Sequence, residues 1–560
     1  MSGPAEGDPV VSVRRGAALM SSGTLVSRLL GALRGVVLAA AVGATGQAAD
    51  AFAVANKLPN VLYLLLASGA LNAVLVPQVV RAYKRNAGGE YVDRLLTLGF
   101  AILAVATVAL TFAAPLLVRL YADPCSPAQV SLAVTFAYWC VPQMFFYGAY
   151  GLLGQVLNAR GSFGPYMWAP VVNNIVSIAG FGVFIAVFGA SAGSAAAWDG
   201  GKVALLAGSA TAGIVAQALV LVPFLRRAGV RYTPRWGLRG SGLGRAGAVA
   251  VWTFVGLAVG QLGYIVVSRV ASAAPGAAGV ASGLCDVHTP IAGNAAYDYA
   301  FLVFMLPHSL LTTSLTTALF TRLSSQAGDH DTAGVRASLS TGLRVIGLAT
   351  VASAAVIGVL ALPVVRLFLW TAPADEVAAV GAVVLAMIVG LPAFGAWSMA
   401  QRVYYAYEDA RGMVPVQVVM AAVVVAGTLL DRALAPARFW VAGAGLAMSV
   451  SYLVGALLAL RAIRRRIGDV DGPRVLRVHV QALVAALVAV AVGVGLLGAV
   501  GGGAGVGVLG AVWRSLLVGT VMSGVYLGAL RLMHVPELDL LVSASRTVAR
   551  RLARRRGGRR

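Results

Sequence analysis

The sequence predicts an all-α integral membrane protein of fourteen transmembrane helices, built as two six-helix lobes related by a pseudo-twofold axis, with two further helices at the C-terminal side. Three observations predict it. The chain of 560 residues is 59% hydrophobic and only 11% charged, with a mean hydropathy of +0.85. Its apolar runs repeatedly reach the roughly 20 residues that a helix needs to cross a hydrocarbon core of about 30 Å. Finally, two of those runs contain similar sequence at matching places. Helices are the expected form because lipid offers the backbone no hydrogen bonds, and a β-barrel would need short alternating segments instead.

Breaking the runs at Pro-, Gly- and Arg-rich punctuation gives spans near 16–44, 51–80, 95–118, 129–158, 163–190, 203–225, 246–268, 290–321, 337–369, 375–401, 412–431, 439–460, 478–500 and 507–530. The resulting division is an N-terminal tail (1–15), a first lobe of six spans (16–232), a second (243–466), a pair of helices (473–533) and a basic tail (534–560). Arg14 and Arg15 precede an apolar run as in a signal peptide, but Arg28 and Arg34 interrupt that run, so an uncleaved first span is expected. The repeat rests on DAFAVANKLP (Asp50 to Pro59) in span 2 against DYAFLVFMLP (Asp298 to Pro307) in span 8, and on NARG (Asn158 to Gly161) against DARG (Asp409 to Gly412). Parallel halves of this kind place a substrate site between them and permit alternating access.

Basic residues orient the chain. Alternate connections, both tails included, hold 33 of the 43 Lys and Arg, while the opposite set holds six, so both termini are expected in the cytoplasm. The net charge of +23 is scattered over short loops without interleaved aromatics, which argues against a nucleic-acid partner. Attraction to anionic membrane lipid is enough to explain the run from Arg550 to Arg560. Of the remaining four basic residues, Arg28, Arg34, Lys57 and Arg514 fall inside spans.

Each such charge costs about 2.5 to 3.5 kcal/mol at a helix centre, so Arg28, Arg34 and Lys57 need polar company. On an ideal helix Arg34 lies about 9 Å beyond Arg28 and about 120° round it. Gly31 and Gly35 would ease a bend that brings both to one cavity. Asp50 and Lys57, seven apart, share a face and can neutralise each other as a buried pair. Alternatively, all three cations serve a water-filled cavity for an anionic substrate, since the arginine fork suits phosphate oxygens.

These residues lie in stretches that carry a family resemblance. SRLLGALRGVVLAAAVGA, ADAFAVANKLPN, SGALNAVLVP and PQMFFYGAYGLLGQVLNARGSFGPYMWAPVVNN together resemble the MurJ/MviN lipid II flippases of the MOP exporter superfamily. The resemblance implies transport of a lipid-linked peptidoglycan precursor from the inner to the outer leaflet of the bacterial cytoplasmic membrane, in support of cell-wall biogenesis and cell shape. It also implies that spans 13 and 14 line a groove for the polyprenyl tail. Arg28 and Arg34 match the family's span-1 arginines, expected to contact pyrophosphate; Asp50 matches its span-2 aspartate, and Lys57, Pro59 and Asn60 its K-L-P-N run. Two departures are visible. Tyr63 stands where many members have an arginine and Ser68 where they have an acid; residues 299–306 (YAFLVFML) lack the span-8 arginine, so a less cationic cavity is expected.

Asp298 is a candidate ion or proton site, with capping or pairing as its alternative. No catalytic constellation, metal cluster or nucleotide-binding lysine motif emerges, so neither an enzyme nor a cofactor is expected, and transport is expected to draw on the membrane potential or an ion gradient. Cys125 and Cys285 both map to outer loops, but of different lobes expected to move apart, so no bridge is expected. Two transport alternatives stay open: a flippase for another polyprenyl-pyrophosphate glycan, and a MATE-like antiporter, whose cavity should hold excess carboxylates. Cell-wall synthesis proteins are possible partners.

Overall fold

A computed structural model describes residues 9–66, 89–124, 126–190, 194–230, 232–236, 245–280 and 290–538. Ser68, Cys125, Cys285 and the basic tail from residue 539 lie outside the described residues. Everything regular in them is helical. In order the helices are α1 (Pro9–Val42), α2 (Gln47–Leu66), α3 (Gly89–Phe112), α4 (Ala114–Tyr121), α5 (Pro127–Cys140), α6 (Gln143–Ala159), α7 (Phe163–Phe188), α8 (Gly200–Leu219), α9 (Leu221–Arg227) and α10 (Arg245–Val280). They continue with α11 (Asn294–Pro307), α12 (Thr313–Gly328), α13 (Thr332–Val359), α14 (Ala361–Phe368), α15 (Ala374–Ile388), α16 (Leu391–Ala406), α17 (Ala410–Leu434), α18 (Trp440–Ile467), α19 (Gly472–Ala499) and α20 (Val508–Leu532). Among the described residues twelve helical segments are long and apolar enough to cross a membrane, or thirteen when α15 and α16, bent by 47° at their junction, count as one span. The protein is thus a multi-pass, all-helical membrane protein.

Local chemistry sets many of the boundaries. Asp199, Asp331 and Asp409 cap α8, α13 and α17 by accepting the backbone N–H groups of Lys202, Gly334 and Gly412, each at 2.8 Å. Gly189 and Gly468 follow α7 and α18 with φ of 72° and 89°, a left-handed exit that costs glycine little. Pro307 ends α11, and the chain then widens into a π-turn over His308–Thr312 before α12 resumes.

The chain divides into two compact units, Met1–Ala296 and Tyr297–Arg560. In the first, α1 packs on α7, α7 on α8, α2 on α5 and α6, and α3 on α6. Helix α10, which the sequence division groups with the second lobe, packs on α2 and α4 and is counted in the first unit. A core of Leu96, Leu103, Leu152, Val156, Leu157 and Leu221 holds α3, α6 and α9 together.

The helix order repeats with a constant step. Helices α2 and α11, α4 and α14, α5 and α15, and α7 and α17 each begin 247 residues apart. The pair α4 and α14 also repeats in sequence, APLLVRLY against ALPVVRLF, with Arg119 answering Arg366. The NARG and DARG motifs, by contrast, are not equivalent: Asn158 lies in the last turn of α6, whereas Asp409 caps α17. The likeness of those four residues is a coincidence four positions out of step.

In the second unit, α13 packs on α19 and α19 on α20 around Leu348, Ala482, Ala485, Val518 and Met522. The chain leaving α20 is pinned here, with Val535 and Leu538 in the same core. Arg344 lies inside α13 at 6% exposure and pairs with Glu537, which is 2% exposed and also meets Arg474 at 3.4 Å. Stranding one charge of such a pair costs about 3 to 5 kcal/mol, whereas replacing both by apolar groups is often neutral. Glu537→Ala is therefore expected to lower the melting temperature of the detergent-solubilised protein, and the double variant Glu537→Leu/Arg344→Met to recover most of the loss.

Candidate functional site

Helix α1 is one unbroken helix, and small residues fix its rotation. Gly23, Ser27 and Gly31 form a stripe four residues apart that faces α7. Asn174 donates from Nδ2 to the Ser27 carbonyl at 2.9 Å, and a Cβ on Gly31 would stand 3.8 Å from Asn174. At Gly23 an added Cβ would come within 2.8 Å of the Trp168 ring, so no larger residue fits. Arg34 lies seven residues beyond Ser27, about 20° from the centre of this stripe. Arg28 lies about 100° away on the flank, and both arginines are half-buried.

On α2 the two charged residues have different surroundings. Asp50 is 1% exposed, and its Oδ1 accepts the backbone N–H of Ala295 at 2.8 Å. That N–H belongs to the first turn of α11, where orphan donors and the helix dipole favour a carboxylate. The approach is close because residue 293 is glycine: a Cβ there would stand 1.9 Å from Asp50 Oδ2. Asn294 is locked beside it, donating from Nδ2 to the Ser268 carbonyl at 3.0 Å and accepting from Ser268 Oγ at 3.0 Å. Asp50 thus caps a helix that begins more than two hundred residues later. Lys57 is half-buried with Nζ 4.3 Å from the Tyr264 ring centre on α10, a cation–π contact.

Asn60 is exposed, on the outside of α2. Asp298 is half-buried in the second turn of α11, near the Asp50 cap in sequence and one turn further along the helix. The structure therefore brings Arg34, Lys57 and Asp50 onto packed helices of one unit, with Arg28 on the flank of α1.

Sequence reading missed an aromatic ladder on α6. Glycines at 148, 151 and 154 present one bare edge of that helix, and each receives a side chain from another helix: Leu103 of α3, Tyr63 of α2 and Tyr166 of α7. Tyr147 and Tyr150, one turn apart on α6, stack on two of these visitors. Tyr147 meets Tyr63 at 6.0 Å with 23° between planes, and Tyr150 meets Tyr166 at 4.7 Å and 19°. The spacing G-A-Y-G-L-L-G was the available signal, since three glycines at three-residue intervals open one helix face.

In the second unit a cavity of about 230 Å³ lies between α13, α19 and α20, lined by Leu311, Leu348, Ala352, Val356, Met522 and Tyr526. Tyr526 closes one wall by donating to the Leu348 carbonyl at 2.8 Å. Arg514, the fourth intramembrane cation, turns to the end of α19 and donates twice to the Val500 carbonyl, at 2.9 and 2.8 Å. That is a side chain reaching for the interface, not a binding group.

Comparison with known proteins agrees with this geometry. The family described as lipid II flippase MurJ matches residues 38–507. The lipid II flippase MurJ of Burkholderia cenocepacia is 29% identical over 481 residues, covering 84% of this chain and 87% of its own. Among solved structures, a lipid II flippase MurJ in an inward closed conformation superposes with a TM-score of 0.65 at 19% identity, over 92% of this chain and all of that one. An inward-facing multidrug resistance MATE family transporter of the MOP superfamily gives 0.63 at 15% identity, over 81% of this chain and 99% of its own. At these identities the structures establish the shared fold alone.

Proposed function

Since the chain belongs to the lipid II flippase MurJ family, we propose that it moves lipid II from the inner to the outer leaflet of the cytoplasmic membrane by alternating access. The observation that carries this reading is the fixed placement of Arg34 in an apolar helix. The Asn174 contact to the Ser27 carbonyl sets the rotation of the helix that carries it, and an intramembrane cation so placed suits an anionic group in transit. A MATE-like antiporter of the same fold would need excess carboxylates, yet Asp50 is turned to the α11 N-terminus while Arg28, Arg34 and Lys57 remain cationic.

In this reading the pyrophosphate engages Arg34 and Arg28 in succession, with Lys57 as a third cation. Asp50 holds α11 against α2 in the conformation described, and Asp298 is the position through which an ion or proton is coupled. The reading takes α2 and the bent pair α15–α16 as spans, which makes fourteen with both termini cytoplasmic, and takes the repeat as two six-helix lobes. The apolar cavity between α13, α19 and α20 suits part of the polyprenyl tail. The basic tail holds the anionic membrane surface.

No cofactor enters this scheme, and the membrane potential supplies the drive. An anionic head group leaving a negative interior is helped by about 2.3 kcal/mol per charge per 100 mV. The purified chain in proteoliposomes is expected to translocate labelled lipid II faster when the face carrying the termini is made negative. A rate indifferent to imposed potential and to every imposed ion gradient would remove the proposed drive.

A further inference from the structure

The tyrosine ladder on α6 has features that simple packing does not require. All four rings are partly buried, and they come from three helices, α2, α6 and α7. Gly151 and Gly154 form their seats: an added Cβ would stand 2.6 Å from the Tyr63 hydroxyl and 2.1 Å from the Tyr166 ring. Tyr150 donates to the Tyr166 carbonyl at 2.9 Å, which fixes the inner pair. Among the described residues the Tyr63 and Tyr147 hydroxyls make no hydrogen bond. A tyrosine buried only for packing finds a partner for its hydroxyl, and phenylalanine would serve where there is none. The ladder also includes Tyr166 of α7, the helix on which the Arg34-bearing helix α1 packs.

We propose that Tyr63 and Tyr147, backed by Tyr150 and Tyr166, form a subsite for the sugar rings of a pyrophosphate-linked glycan, next to the cation that holds the pyrophosphate. A pyranose ring has an apolar C–H face and a polar rim. Partly buried aromatic rings that keep some access cover the face, while their phenol hydroxyls meet the rim. In the covalent order of such a lipid the first sugar follows the second phosphate directly, so a platform adjoining Arg34 is where that sugar arrives. Position 63 then recognises the glycan by stacking and hydrogen bonding, with no charge of its own.

This inference rests on the flippase reading, and binding to two lipids separates them. The full-length chain in nanodiscs is titrated with lipid II and with undecaprenyl pyrophosphate, which shares the phosphates and tail but lacks the sugars. Tyr63→Leu is expected to weaken lipid II binding roughly five- to tenfold, the equivalent of losing one aromatic contact and its hydrogen bond. It should leave undecaprenyl pyrophosphate binding unchanged, which also shows the variant to be folded. Tyr63→Phe should retain most of the lipid II affinity, and Gly151→Ala, which displaces the Tyr63 hydroxyl, should reproduce part of the loss. Equal weakening for both lipids, or none for either, would overturn the subsite while leaving the flippase reading intact. A native chain that bound neither lipid would overturn both.

Discussion

Replacing Arg34 by alanine is expected to abolish transport while leaving the protein inserted and folded. Arg34 lies near the face of α1 that packs against α7, where the close approach is made by Gly23, Ser27 and Gly31, with Asn174 bonded to the Ser27 carbonyl. Truncating Arg34 therefore spares the helix contact and removes the charge. Charge-assisted hydrogen bonds contribute about 1.5 to 3 kcal/mol each, and a bidentate arginine makes two to a phosphate. A loss of more than a hundredfold in transport rate follows if both persist in the transition state. Arg34→Lys keeps the charge and gives up the fork, so it should retain partial activity. Arg28→Ala should also abolish transport, because the pyrophosphate engages the two arginines in succession and each step needs its own cation. Lipid II delivery at matched protein level checks the series, and an Arg34→Ala protein that transports normally would mean the cation serves only the fold.

The second large effect is expected at Gly293. A methyl group there would overlap the Asp50 carboxylate, with 1.9 Å to Oδ2 and 2.6 Å to Oδ1. Asp50 is 1% exposed and bonded to Ala295, so it has no room to withdraw. Overpacking of this kind costs about 1 to 3 kcal/mol and here also breaks the cap on α11. Asp50→Ala removes the cap alone, at about 0.5 to 2 kcal/mol. Gly293→Ala should thus lose more thermal stability and more transport than Asp50→Ala. The double variant should be no worse than Asp50→Ala, because the added methyl then meets a small side chain. Additive losses would show that the two residues act separately.

How much of this was legible in the sequence depends on range. Helix existence followed from the length of apolar runs, because the bilayer sets that length for any sequence. The intramembrane arginines of α1 stood out for the same reason. What the carboxylate of Asp50 does was hidden, because its partner is a backbone N–H at Ala295, and a backbone donor leaves no signature in a residue pattern. The counter-charge of Arg344 was hidden because Glu537 lies almost two hundred residues away. The repeat was readable in α4 and α14, where packing preserves APLLVRLY and ALPVVRLF, more securely than in the polar NARG and DARG turns, where three of four residues agree by chance. At the candidate site, sequence identified the charges, and the tyrosines around them needed the three helices to be seen together.

The claim that a cationic site in the first unit carries a pyrophosphate-linked lipid across the membrane is tested most directly in cells depleted of their own flippase. Labelled lipid II reaching the outer leaflet is measured with the native chain and with its Arg28→Ala form at equal level. The account predicts that the native chain restores delivery and the variant does not. Delivery restored equally by both would contradict the role given to that arginine, and delivery restored by neither would contradict lipid II as the substrate.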